Sequence, residues 1–322
     1  MENDLKNFYE VFLKPNLTIL EEQRKNLVNK LNIILFFYGI FMTIAGLVLW
    51  KLSDTFCLDK DFKIFIFIAM IIFSWETWSL YKKLQFDYGQ NFKYIVIRPI
   101  VHFIDDNLNY DPKKEILPKK FYTSHFFKGE YAKIDVWQGE DYVNGTFDKI
   151  SMEFNEINAE EKIDYGDSVE YITIFRGLFF SFNINKDFKG TTLISVHKSL
   201  FGKLSSWSLG KNIKKIQLKD PKLARNLIIY SNNFKIASQF LNNDFLHSLL
   251  IFQHWIKHPI YLSFIDSKLY LAIPIKKNLF EASIFKPVNF ELVKESFDYL
   301  QIGIKIMKII KDTMMNLGNE NV

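Results

Sequence analysis

Three histidines, His247, His254 and His258, stand at i, i+7 and i+11 of a stretch that reads as one helix, and so share a face. His254 and His258, four apart, have a spacing that chelates zinc. However, His258 precedes Pro259, where a helix frays, and no acid or cysteine nearby in sequence completes a ligand set. The expectation is therefore no metal site, with His254 and His258 as its nearest candidates. Glu140-Asp141 and Glu160-Glu161 are paired carboxylates of the kind that does acid–base work. In strands, adjacent residues point to opposite faces, so these pairs are expected to be solvated. No two glycines stand two apart, which excludes a dinucleotide-binding G-x-G-x-x-G, and none stand four apart, which excludes the G-x-S-x-G elbow. Gly210-Lys211-Asn212 ends like a phosphate loop, but Ser205 replaces its first glycine and Asn212 its hydroxyl residue. No histidine is followed by Glu, which excludes H-E-x-x-H. One cysteine rules out an internal disulfide framework. No catalytic residue and no cofactor are expected.

Charge says more than motifs. A net charge of +5 on 322 residues, with no recognition motif, argues against a nucleic-acid partner. The distribution is uneven. Ile134 to Glu170 holds eleven acids against Lys149 and Lys162, whereas Lys186 to Arg225 holds ten basic residues against Asp187 and Asp220. The basic positions to test are Lys198, Lys203, Lys211, Lys214, Lys215, Lys219, Lys222 and Arg225. Beside a membrane they would face anionic headgroups, each worth about 1 kcal/mol and screened by salt. The plainer reading is that the acidic and basic segments are neighbours whose charges offset each other.

The elements that would position these residues begin with two apolar runs. Leu31 to Trp50 is twenty residues without a charge, and Ile64 to Tyr81 is apolar except near its end. Both have the length of a membrane-crossing helix. The first begins thirty residues in, after five acids, unlike a cleaved signal peptide. Arg24, Lys25, Lys30, Lys82, Lys83, Lys93 and Arg98 flank the pair, against Lys51, Lys60 and Lys63 between them. That bias puts both termini in the cytoplasm. Glu76 lies close to Lys82 and Lys83, so it is expected to reach the interface rather than to carry protons. Gly39 and Gly46 share a helix face and would let another helix approach.

Before the hairpin, Asp4 to Lys30 reads as an amphipathic helix broken by Pro15. After it, Leu84 to Leu108 reads as helical, with a kink or boundary at Pro99. Strands follow. Val143 to Phe147 pairs with the alternating run from Ile150 to Asn155 through a turn at Asp148. Phe180 to Ile184, Thr191 to Val196 and Leu227 to Ser231 are further strands, and Asp266-Ser267 joins Ile260–Ile265 to Lys268–Ile275 as a tight hairpin. Helices are expected over Asn243 to Lys257 and Phe290 to Asp312. The whole is an α+β chain in three parts: amphipathic helices over 1–30, a membrane hairpin over 31–83, and a cytoplasmic domain over 84–322.

Several of these stretches resemble one family. FYEVFLKPNLTILEEQR (Phe8 to Arg24), VIRPIVHFIDDNLNYDP (Val96 to Pro112), GEDYVNGTFDKISMEFNEINAE (Gly139 to Glu160), IFRGLFFSFNINKDFKGTTL (Ile174 to Leu193) and Leu262 to Glu295 are similar to the bacterial domain-of-unknown-function family 3137. The resemblance implies a two-helix membrane hairpin with a mixed cytoplasmic domain, in a bacterial inner membrane. It supplies no activity. The leading expectation is a non-enzymatic membrane protein whose cytoplasmic domain is an interaction or lipid-surface module. Its partners would be the bilayer, anionic headgroups, and a protein partner or second copy. The alternatives are a membrane-associated enzyme and a transport-associated subunit. Arg176-Gly177 and Phe179-Phe180 are further positions of interest, expected as turn and packing residues.

Overall fold

The structure, a computed structural model, describes residues 2–55, 60–126, 133–184, 188–196 and 213–319. It is α+β: long N-terminal helices, then a nine-stranded antiparallel sheet with helices. Two compact units divide the chain. One comprises residues 1–97 and 280–295, the other 98–279 and 296–322.

The first unit is helical. α1 (Glu2–Phe8) passes through a π-helical turn (Tyr9–Leu13) into α2 (Lys14–Thr55), and α3 (Lys60–Phe92) ends in a second π turn (Lys93–Ile97). Pro15 therefore does not break the first helix. A proline inside an α-helix loses a hydrogen bond and clashes with the carbonyl four residues back. Here that carbonyl belongs to Val11, at the centre of the π turn, where the widened backbone accommodates the ring. Lys14 N–H donates to Tyr9 O across the turn, and the Asn16 side-chain amide donates to Phe12 O. Pro99 repeats the arrangement, two residues past the second π turn and second in α4 (Arg98–Ile104).

The second unit is built on the sheet. Its strands are β1 (Leu108–Asp111), β2 (Val136–Phe147), β3 (Ile150–Asp164), β4 (Val169–Asn183), β5 (Thr191–Val196), β6 (Lys214–Ile216), β7 (Leu227–Ser231), β8 (Ile260–Ile265) and β9 (Lys268–Pro274). They lie in the order β1-β2-β3-β4-β9-β8-β5-β7-β6. The β2–β3 turn falls at Asp148 and Lys149, both with positive φ, as a two-residue hairpin turn demands. Asp266 likewise has positive φ at the β8–β9 turn.

Both faces of the central strands are covered, so β5 and β8 are buried at every position. On one face Phe179 meets Phe121 of α5 (Pro118–Thr123) at 5.1 Å and Tyr270 at 5.9 Å. The opposite face is covered by α7 (Phe234–Phe240), α8 (Asn243–Ile256) and α10 (Ile302–Asn319), the remaining helices of the chain being α6 (Pro221–Asn226) and α9 (Phe290–Leu300). On that face Phe264 stacks edge-on against Phe188 and lies 4.9 Å from Phe240. Gly303 lets α10 approach Phe180, since a Cβ there would sit 2.9 Å from its ring. The expected single closing helix is in fact two, separated at Gln301.

Candidate functional site

The apolar runs form helices whose side chains are exposed rather than packed against the rest of the protein. Among the described residues, two helices are long and apolar enough to cross a membrane, and the most apolar windows within them are 6% and 0% buried. Phe36, Phe37, Ile44 and Leu47 on α2, and Phe65, Phe67, Ile71 and Ile72 on α3, are exposed. The two helices touch through Phe41 and Phe73, whose rings are 4.9 Å apart, and through a 3.0 Å hydrogen bond between Tyr38 and Ser74. Gly39 and Gly46 take no part in this pairing, since nothing lies within 4 Å of a Cβ built on either. Glu76 is exposed. Lys93, counted among the flanking cations, is buried in the second π turn and drops out of that tally; the bias keeps its direction.

Among the basic positions, Lys214 and Lys215 lie on β6, an edge strand, Lys219 just before α6, and Lys222 and Arg225 on α6. All five are exposed, and none is in an ion pair among the described residues. Lys198, Lys203 and Lys211 lie outside the described residues. The histidines separate. Helix α8 ends at Ile256 and Lys257 turns left-handed, so His258 is off the helix and the four-residue spacing loses its meaning. His247 Nε2 sits 3.3 Å from an Asp220 carboxylate oxygen. Asp220 caps α6, and the two backbone N–H groups it accepts hold its carboxyl below the usual range, with His247 assisting. His258 is half-buried; desolvation pushes its pKa down, aided by Lys277.

The largest departure from expectation is at Glu140-Asp141. The β2–β3 register slips between Glu140 and Val143, and Asp141 takes a positive φ. Such a bulge re-aims side chains, and Asp141 becomes fully buried rather than solvated. Ligand atoms of Glu140, Asp141 and Glu156 then fall within 4.8 Å of one another. Three carboxylates could hold a hard cation in principle, but these have other work. Tyr110 Oη donates to Asp141, and the Leu279 amide donates to both oxygens of Glu156, at 2.9 and 3.2 Å. Asn155, fully buried opposite the bulge, accepts from Ile116 N–H and donates to the carbonyls of Glu140 and Lys114. The arrangement ties residues 110–116 and 278–279 to the β2–β3 ladder. Arg176 lines the adjoining cavity of about 350 Å³ and donates to Asn278. Gly177 is required where β9 ends, because a Cβ there would meet Ile273 O at 2.1 Å. Phe179 and Phe180 are core residues on opposite faces. A second cavity, about 380 Å³, contains Lys120, Glu153 and Tyr142, linked by hydrogen bonds. Burial, with Glu153 adjacent, pushes the Tyr142 phenol well above its ordinary pKa.

These features define an α+β protein with two apolar, outward-facing helices. Residues 173–312 match the model of a family described as "Protein of unknown function (DUF3137)", which bears out over that stretch the resemblance read from the sequence. The hairpin lies outside the match. No curated protein matches the chain. Among solved structures, the chain is similar to the mycobacterial trehalose monomycolate transport factor A, TtfA, at 10% identity, covering 69% of this chain and 94% of that one. The TM-score is 0.39, and at that value the likeness carries no argument.

Proposed function

We propose that the chain is a non-enzymatic, multi-pass membrane protein of the bacterial inner membrane. In this reading residues 31–50 and 64–81 span the bilayer, both termini are cytoplasmic, and the sheet unit is an interaction or membrane-surface module. The observation that carries it is the near-complete exposure of both apolar windows. A soluble protein's core helix is as apolar but buried. Leaving a Phe, Leu or Ile side chain in water forgoes roughly 1.5–3 kcal/mol each, so eight or more of them across the two helices call for another apolar solvent. Arg24, Lys25, Lys30, Lys82, Lys83 and Arg98 support the orientation.

The surface role of the module rests on the exposed Lys214, Lys215, Lys219, Lys222 and Arg225. Full-length protein in nanodiscs of neutral or anionic lipid tests it through the rate of lysine acylation, read by mass spectrometry. Slower modification of these lysines on anionic lipid, relieved by salt, is the expected result. Equal rates on both lipids would leave a protein partner, or a second copy, as the module's target. Retention of the full chain in membranes after alkaline carbonate washing tests the anchor itself.

A further inference from the structure

Strand β4 outruns its neighbour. It pairs with β3 from Asn183 down to Val169, but β9 joins it only from Asn183 to Gly177 and stops at Pro274. The last bond on that side runs from Ile275 N–H to Arg176 O. Beyond it, among the described residues, nothing pairs with the outer edge of β4 from Val169 to Ile174, roughly 20 Å of strand. The ladder fixes which groups that edge presents. On β3, Glu160 O accepts from Asp135 N–H at 2.9 Å, and Lys162 N–H donates to the Asp135 carboxylate at 3.0 Å. Both groups therefore point away from β4. Members of such an antiparallel pair point outward together. Thr173 and Tyr171, opposite Glu160 and Lys162, thus aim their N–H and C=O groups into the lane that β9 has vacated. Asp135 closes one edge of this two-stranded ribbon, and the other stands open.

Sheets commonly blunt an open edge with proline, a very short strand or a cover. This edge is long and carries good strand formers, and Val169, Tyr171 and Ile172 are exposed on it, with Tyr165 exposed at its turn. The ribbon is also acidic: Glu160, Glu161, Asp164, Asp167 and Glu170 stand against Lys162 alone. That charge repels an anionic leaflet, and two copies meeting edge to edge would set acid against acid. The side chains sort by face. Glu161, Glu170 and Ile172 share one face of the ribbon, and Val169 and Tyr171 share the other. A strand with cations on the first face and apolar side chains on the second matches both. We propose that the open edge of β4 receives an extended segment of a partner protein, alternating Lys or Arg with β-branched residues and hydrogen-bonded to the backbone of Tyr171 and Thr173. Strand addition of this kind draws affinity from the main chain and specificity from alternate side chains.

The test uses the full-length chain in nanodiscs of neutral lipid, with a fluorescent peptide of alternating Lys and Val as the probe. Saturable binding is expected, with slower hydrogen exchange at the amides of Tyr171 and Thr173. The same peptide N-methylated at every residue keeps its charge and loses its donors, and should bind about ten-fold more weakly. A peptide with Glu in place of Lys should not bind. Glu161→Gln combined with Glu170→Gln should weaken binding and flatten its salt dependence. No binding of the Lys–Val peptide overturns the proposal. Equal binding of the N-methylated peptide also does, because it would mean charge alone, as does protection that spares residues 169–174. Protection present without peptide and growing with protein concentration would put a second copy in the lane and overturn it too. The inference goes beyond the membrane reading and fails separately from it, since it uses neither apolar helix and none of the cations from Lys214 to Arg225.

Discussion

The two compact units spend their apolar residues in opposite ways. In the helical unit, Phe36, Phe37, Phe65 and Phe67 stand exposed on helices with no apolar face of their own to hide. In the sheet unit, adjacent Phe179 and Phe180 are both fully buried, one against Phe121 and Tyr270, the other against Phe154 at 4.7 Å and close to Gly303. The same side chain thus answers to two solvents. In the proposed membrane hairpin it takes one supplied from outside the chain, whereas in the sheet it is its neighbours' solvent. Damage to one unit should therefore leave the other's behaviour intact.

The largest expected effect is in the sheet. Phe180→Ala should cost about 3–5 kcal/mol, enough to lower the sheet unit's melting sharply while the chain remains in membranes after a carbonate wash. Loss from the membrane would break the contrast. The reciprocal change is Ile72→Arg at the middle of the second apolar run, which disfavours insertion by about 3 kcal/mol. It should reduce the membrane-retained fraction without altering protease resistance of the sheet unit. Next comes Asn155→Ala. It orphans the Ile116 N–H and the Glu140 carbonyl at a fully buried site, and about 1–3 kcal/mol of stability should go. Faster hydrogen exchange at residues 110–116 is the readout. Asn242→Ala removes the side chain that accepts from Phe245 N–H at 2.8 Å and caps α8, at about 1 kcal/mol.

The smallest effect is with pH. The His258 pKa is depressed in the folded chain, so the folded state binds fewer protons than the unfolded one as pH falls below the ordinary histidine value. Its stabilising contribution is present above that value and is lost as pH falls toward the folded pKa. Melting measured from pH 8 down to 5 should show a decline that His258→Gln reduces.

Local pattern made much of this fold legible. The apolar runs, the alternation in β3 and the turn at Asp148-Lys149 are nearest-neighbour signals, and each lies where the sequence puts it. What was not legible depends on long-range pairing. The three-residue β6 and four-residue β1 are too short to show a period. The bulge that buries Asp141 exists because Asn155, on the partner strand, collects backbone groups of residues 114, 116 and 140. No spacing within residues 139–143 announces it. Pro15 reads as a break because the π turn before it cannot be seen in hydropathy, whereas the boundary expected at Pro99 is there, just past the second π turn.

The native sequence supplies its own probe of the central claim. Cys57, the one cysteine, lies between the two apolar runs. In spheroplasts of a bacterial host expressing the full chain, a membrane-impermeant maleimide should label Cys57 from outside. A cysteine introduced at Lys286 should react only after the membrane is opened. If Cys57 stays unlabelled until permeabilisation, or the chain is found in the soluble fraction, the membrane hairpin with cytoplasmic termini is wrong.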